Sequence, residues 1–150
     1  MRLVIQRVSE AQVSIEGNTA AQISKGLMVL VGICTNDDIG DAQRLTNKLC
    51  NLRIFSDDAG LMNLSIKDIN AELLLVSQFT LYASTQKGNR PSFIDAARPD
   101  AAIPLYEKLI ELIVTDLGKP IATGQFGADM QVHLINDGPV TIIIDSKNRD

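Results

Sequence analysis

The stretch Leu27-Met28-Val29-Leu30-Val31-Gly32-Ile33 restricts the fold more than any other part of the chain. A strand with one wet face alternates polar and apolar residues, and this one does not. It is far shorter than the roughly 20 apolar residues that a membrane-crossing helix needs. It therefore reads as a strand covered on both faces, entered through the turn Lys25-Gly26. Leu73-Leu74-Leu75-Val76 repeats the pattern and runs straight into the polar string Ser77-Gln78-Phe79-Thr80. Around these two strands the chain supplies neighbours and cover. Leu3 to Val8 and Gln12 to Ile15 read as strands, and Thr19 to Ser24 returns as a hairpin across Glu16-Gly17-Asn18. Ile39, Ala42, Leu45, Leu49 and Leu52 recur at helical spacing behind an N-cap at Asp37 or Asp38. A second helix runs from about Asp100 to Leu117, with Ala102, Leu105, Leu109, Leu112 and Ile113 as its apolar stripe and Gly118 and Pro120 as its stop. Pro104 is tolerable in its first turn. Leu61 to Ile66 takes no firm assignment. Met130 to Ile135 and Val140 to Ile144 read as strands joined across Asn136-Asp137-Gly138-Pro139. The pattern predicts an α+β fold, one domain over 1–150, with a mostly antiparallel, barrel-like β-sheet and two main α-helices.

Several function classes drop out. The 14 Lys and Arg against 18 Asp and Glu give a net charge of −4, so no strong positive field surrounds the chain. A local patch for nucleic acid remains open. Four Phe, two Tyr and no Trp make a multi-base stacking platform a poor expectation. Cys34 and Cys50 are too few for a disulfide framework and read as small buried hydrophobes in a reducing compartment. With His133 they match no zinc spacing. The N-terminal apolar run breaks at Gln6-Arg7, too early for a signal peptide, so a cytoplasmic protein with no membrane association is expected. His133, the one histidine, sits in a strand and reads as a solvent-facing or cross-strand residue. Any Ser-His-Asp or Cys-His arrangement would have to use it, and no nucleophile lies on its element. No phosphate-binding or dinucleotide glycine motif appears. An enzyme of this composition is expected to use no metal and no cofactor. It would rely on backbone donors, hydroxyls or the substrate's own groups.

Two segments carry potential chemistry. In Ser77-Gln78-Phe79-Thr80 a buried strand turns polar at its end, where hydroxyls, an amide and free backbone N–H groups can meet a ligand. The same hydroxyls could equally serve neighbouring backbone groups. Asn136-Asp137-Gly138-Pro139-Val140-Thr141 reads as a tight hairpin turn, since Asp-Gly between apolar runs is a strong turn signal. A Gly-Pro tip could also present two carbonyl oxygens rigidly in one direction.

Both strings resemble the signature motifs of the D-aminoacyl-tRNA deacylase family. Gln6-Arg7-Val8, Arg53-Ile54-Phe55-Ser56-Asp57, Met62-Asn63-Leu64, Arg90-Pro91-Ser92-Phe93 and Gly124-Gln125-Phe126-Gly127-Ala128-Asp129-Met130 resemble family segments in the same order. Leu61 departs from the basic residue many members carry. The resemblance implies a homodimer with its active sites at the interface. Each site would hydrolyse the ester between a D-amino acid, or glycine mischarged on tRNA-Ala, and the 3′ end of tRNA. It implies that Ser77, Gln78, Phe79 and Thr80 surround the scissile ester. Gly138-Pro139, with a cis bond, would enter the partner's pocket and accept hydrogen bonds from the substrate's amino group. That clamp would reject an L side chain while ignoring the D side chain. Arg7 would orient the Gly-Pro carbonyls, and Phe126 and Met130 would form pocket walls. An aminoacyl ester is already activated, so the 2′-hydroxyl of the terminal ribose can assist water. This is favoured over Thr80 as nucleophile, because no base stands beside Thr80 in the motif. Lys87, Arg90 and Arg98 are candidate phosphate contacts; a solvated loop of unconnected charges is the plainer alternative. Two further readings stay open: a tRNA- or DNA-associated binding module without turnover, and a hydrolase of another activated ester.

Overall fold

A 14-residue strand, β1 (Arg2–Ile15), organises the sheet. The computed structural model describes residues 1–148. Along one edge β1 pairs antiparallel with β8 (Gln131–Asp145) for nearly its whole length. Along the other edge its first half pairs with β3 (Gly26–Gly32) and its second half with β2 (Asn18–Ile23). The two strand segments expected between Leu3 and Ile15 are thus one strand. Ser9 and Glu10, whose polarity suggested a break, are exposed, and the register against β8 shifts between Val8 and Glu10. Such bulges let a strand bend without ending.

The expected class and barrel-like, mostly antiparallel sheet are found: β1 pairs antiparallel with β2, β3 and β8, and two parallel pairings make the sheet mixed. β3 pairs in parallel with β6 (Glu72–Ser77), and β6 in parallel with β7 (Ala122–Thr123). Parallel neighbours need crossovers. The first carries helix α1 (Ile39–Asn51) and a small hairpin of β4 (Phe55–Ser56) and β5 (Met62–Leu64). The second carries a 3₁₀ turn (Phe79–Tyr82) and helix α2 (Pro99–Leu117). The hairpin falls partly on the stretch that took no assignment from sequence.

The apolar run of β3 is divided between two cores. Leu27, Val29 and Val31 join Leu45, Leu49, Tyr106, Leu109 and Ile113 of the two helices. Met28 points the other way, among Val8, Val13, Ile23, Leu74 and Val76. Cover on both faces is the physical reason for the missing alternation. Leu109 and Ile113 are fully buried, each a gain of roughly 1.5–3 kcal/mol against exposure.

Asp38 caps α1: its carboxylate accepts the Asp41 N–H at 3.0 Å, and the Asp41 carboxylate accepts the Asp38 N–H at 2.9 Å. Leu52 falls at the C-cap, just outside the helix. The second helix begins one residue earlier than expected, and Gly118 ends it in a left-handed conformation. Asp41 is fully buried and also meets Arg44 and, at 2.7 Å, Lys147. Burial alone would raise its carboxyl. Bonds from Lys147, the Asp38 N–H and Ser146 outweigh that and hold it well below the ordinary 3.8. A carboxyl depressed on folding contributes stability above its unfolded pKa and loses it as pH falls through the folded value. Denaturant midpoints are therefore expected to drop on acidification below about 3.8, and Asp41→Asn should flatten that acid limb. An unchanged limb in the variant would remove Asp41 from this account.

The expected hairpin across Asn136-Asp137-Gly138-Pro139 is not formed. Both flanking strands belong to β8 and continue along β1, with Asn136 paired to Val8 and Thr141 to Gln6. Arg7 alone stands opposite residues 137–140, a bulge in which 137–139 are exposed and Val140 is buried. A turn needs the flanks to pair with each other; here both find a longer partner in β1.

Candidate active site

β6 leaves the sheet core at Ser77, which pairs with Val31. The Gln78 N–H still donates to the Val31 carbonyl at 2.7 Å, so this amide is committed to the sheet. From Phe79 the backbone tightens into the 3₁₀ turn, whose first N–H groups have no partner within the turn. The Phe79 and Thr80 amides are therefore the candidate oxyanion donors, not that of Gln78. The Gln78 side-chain amide donates to Thr80 Oγ1 at 2.6 Å. Phe79 is 56% exposed and meets Phe93 edge-on, with ring centroids 5.0 Å apart.

Ser77, Gln78 and Phe79 form one wall of a cavity of about 290 Å³. Phe126 and Met130, both expected as wall residues, line it too. The loop that carries them rests on β6, where the Gly124 N–H donates to the Leu75 carbonyl at 3.0 Å. A Cβ on Gly124 would stand 2.7 Å from Met130 Sδ, so this glycine makes room for the methionine. Phe126 packs on Tyr106, whose hydroxyl donates to the Leu75 carbonyl at 3.2 Å and whose pKa burial pushes up to about 12.

Thr80 is exposed and does not line the cavity, although Gln78 ties it to the wall. Gly138 and Pro139 do not line it either. Their peptide bond is cis, and they lie exposed in the bulge of β8. The Asn136 side chain closes the bulge by accepting the Val140 N–H at 2.8 Å. Arg7 occupies its mouth: Nε donates to the Asp137 carbonyl at 2.9 Å and Nη1 to the Ile54 carbonyl at 2.7 Å. The carbonyl that Arg7 holds is thus the one preceding Gly138. Lys87 and Arg90 ride an exposed loop pinched by the mutual bonds of Ser84 and Ser92, and Arg98 stands exposed ahead of α2. None of these three lines the cavity or joins an ion pair among the described residues. His133 is exposed and sits opposite Gln12 across the sheet, in keeping with both of its expected placements.

Sequence reasoning missed the floor and rim. Ile33, Ala97 and Ala102 close the bottom, and Asp129 places the cavity's one carboxylate at the edge. Cys34 and Cys50 are free thiols, and burial pushes the Cys50 thiol up to about 12.

The model of the family described as D-Tyr-tRNA(Tyr) deacylase matches residues 4–145. A protein of Flavobacterium psychrophilum named D-aminoacyl-tRNA deacylase is 58% identical over 150 residues, covering 100% of both chains. One of Cytophaga hutchinsonii with the same name is 61% identical over 149 residues and covers 99% of each. Among solved structures, one titled c-Myc DNA Unwinding Element Binding Protein superposes with a TM-score of 0.90 at 39% identity, covering 97% of this chain and 98% of that one. A probable eukaryotic D-amino acid tRNA deacylase gives a TM-score of 0.82 at 15% identity over 95% and 97%, a likeness of fold.

Proposed function

Since this chain belongs to the D-Tyr-tRNA(Tyr) deacylase family and is a hydrolase of the D-aminoacyl-tRNA ester, we propose that the reaction takes place in the cavity walled by Ser77, Gln78 and Phe79. The observation that carries this reading is a division of labour. One chain supplies the reacting wall together with Phe126 and Met130, while its own Gly138 and Pro139 stand outside the cavity, exposed and free to enter another. A homodimer would bring the two together, each chain lending its bulge to the partner's site. The protruding carbonyl oxygens would accept the substrate's α-ammonium and leave no room for an L side chain. Glycine, with no side chain to exclude, would also be accepted, so glycyl-tRNA formed by mischarging tRNA-Ala is a second substrate. Removing either mischarged tRNA protects translation in the cytoplasm.

Water attacks the ester carbonyl, and the amides of Phe79 and Thr80 receive the developing oxyanion. The 2′-hydroxyl of the terminal ribose relays the proton from water to the departing 3′-oxygen. The C–O bond breaks, and a free amino acid and tRNA ending in a 3′-hydroxyl leave. Thr80 is poorly placed to be the nucleophile: its oxygen already accepts the Gln78 amide, and no His, Asp or Glu among the described residues bonds to it. Lys87, Arg90 and Arg98 would give the tRNA a few phosphate contacts, with a correspondingly shallow salt dependence.

The test compares D- and L-aminoacyl-tRNA, Thr80→Ala, and a D substrate ending in 2′-deoxyadenosine. The D substrate should be cleared and the L substrate spared. Thr80→Ala should stay within about tenfold of wild type, while the deoxy substrate should lose more than that. No hydrolysis of either stereoisomer would overturn the reading. A dead Thr80→Ala with full activity on the deoxy substrate would transfer the mechanism to Thr80.

A further inference from the structure

The 3₁₀ turn that carries Phe79 and Thr80 has little to hold it from within. It spans only four residues, and its ends are tied by Leu81 N–H to the Gln78 carbonyl at 3.3 Å and Ala83 N–H to the Thr80 carbonyl at 3.0 Å. So short a piece of 3₁₀ structure needs external support to keep one position. The support lies in a single row across the sheet. Asp145 of β8, Arg2 of β1 and Gly32 of β3 are successive register partners.

Gly32 lets the turn close onto the sheet. A Cβ there would stand 2.9 Å from Leu81 Cβ, 3.2 Å from the Gln78 carbonyl oxygen and 3.2 Å from the Tyr82 ring. From the adjacent strand Arg2 reaches the same turn. Its Nη1 donates to the Leu81 carbonyl at 2.7 Å, and its guanidinium carbon lies 4.9 Å from the centroid of the Tyr82 ring. Asp145 accepts from Arg2 Nε at 3.0 Å and so fixes the fork. A planar guanidinium can meet a carboxylate, a carbonyl and an aromatic face at once, which an ammonium cannot.

We infer that Arg2, aligned by Asp145 and lying on Tyr82, is a positioning residue that sets where Phe79 and Thr80 stand over the cavity. It touches no reacting atom and acts through the Leu81 carbonyl. The inference rests on the reading of Ser77 to Phe79 as the reacting wall, with the Phe79 and Thr80 amides receiving the oxyanion. The sheet does not depend on it, because the backbone pairing of Arg2 with Gly32 and Asp145 needs no side chain.

Arg2→Met and Arg2→Lys would be compared with wild type in single-turnover deacylation over a range of enzyme concentrations, at a temperature where circular dichroism reports all three folded. For Arg2→Met the limiting rate should fall roughly tenfold or more, as displaced reacting groups require, with the half-saturating concentration unchanged. Arg2→Lys should recover only part of the loss. In methyl-labelled protein the NMR signals of Thr80 and Leu81 should move while those of Leu109 and Ile113 stay. A wild-type rate in folded Arg2→Met would overturn the inference, as would core methyl signals that move as much as those of the turn. Should Arg2→Met fail to fold, Asp145→Asn, which keeps the guanidinium but frees it, carries the same comparison. If wild-type protein clears no D-aminoacyl-tRNA, the reading of the site fails, and the Thr80 and Leu81 shifts alone decide the clamp.

Discussion

Gly138→Ala is expected to slow D-aminoacyl-tRNA hydrolysis by about a hundredfold or more, the scale of loss when positioning groups move by an ångström, in a protein that still folds. Gly138 has φ +142°, which L residues rarely adopt, and an added Cβ would lie 2.7 Å from Val140 Cγ2 and 2.9 Å from Val140 N. The third neighbour is Arg7 Nη2 at 3.2 Å. The bulge must therefore open, and the guanidinium that holds the Asp137 carbonyl must shift with it. Residues 137–139 are exposed, and Val140 is the one core residue that an added Cβ would press on. Single-turnover rates together with circular dichroism check the expectation. Mixing supplies a sharper version. Gly138→Ala and a second variant disabled in the Ser77–Phe79 wall should each be nearly inactive, yet hybrid dimers would contain one site with an intact wall and an intact bulge. Recovery of activity on mixing is the expected result. A wild-type rate for Gly138→Ala, or no recovery from mixtures that exchange subunits, would count against a shared site.

Gly26→Ala is expected to cost on the order of 3–5 kcal/mol, the range in which single substitutions become exceptional. Gly26 opens β3 opposite Glu72 of β6 and opposite Val8 of β1. A Cβ would fall 1.9 Å from the Glu72 carbonyl oxygen and 2.7 Å from its carbon. Those are backbone atoms, and no rotamer change clears them. The parallel pair must separate at the end where the Glu72 N–H meets the Lys25 carbonyl at 3.1 Å. Gly17 is the natural control: it has φ +79°, with nothing within 4 Å of an added Cβ. Gly17→Ala should cost only about 1 kcal/mol, the conformational penalty alone. Urea titration of both variants decides, and equal midpoints would remove the steric argument at Gly26.

Features set by neighbours in the chain could be read directly. The helical spacing of Ile39, Ala42, Leu45 and Leu49 gave α1, Asp38 its cap, and Gly118 the end of α2. The alternation missing from β3 announced two covered faces, which the two cores supply. Features set by distant partners were misread. Asp137-Gly138 carries a strong local turn signal, but β1 offers both halves of β8 a longer pairing than they could give each other. The polar Ser9 and Glu10 read as a break because a bulge and a loop expose side chains alike. Parallel pairing of β3 with β6 shows in their sequences only as unbroken apolar runs, which a doubly covered antiparallel strand would share. Within the site, Ser77 to Phe79, Phe126 and Met130 line one cavity. Its floor at Ile33, Ala97 and Ala102 was not foreseen, because those residues have the same apolar character as a filled core.

The length of β1 also orders events during synthesis. Its inner partner, β3, leaves the ribosome soon after it, but its outer partner reaches Asp145. Until then Arg2 to Ser14 present an unpaired edge, with Leu3, Ile5, Val8 and Val13 beside it and awaiting burial. A growing chain in that condition is open to strand addition by any extended neighbour. Closure waits for β8, which follows every other strand of the sheet in the chain, so the sheet is completed late rather than strand by strand.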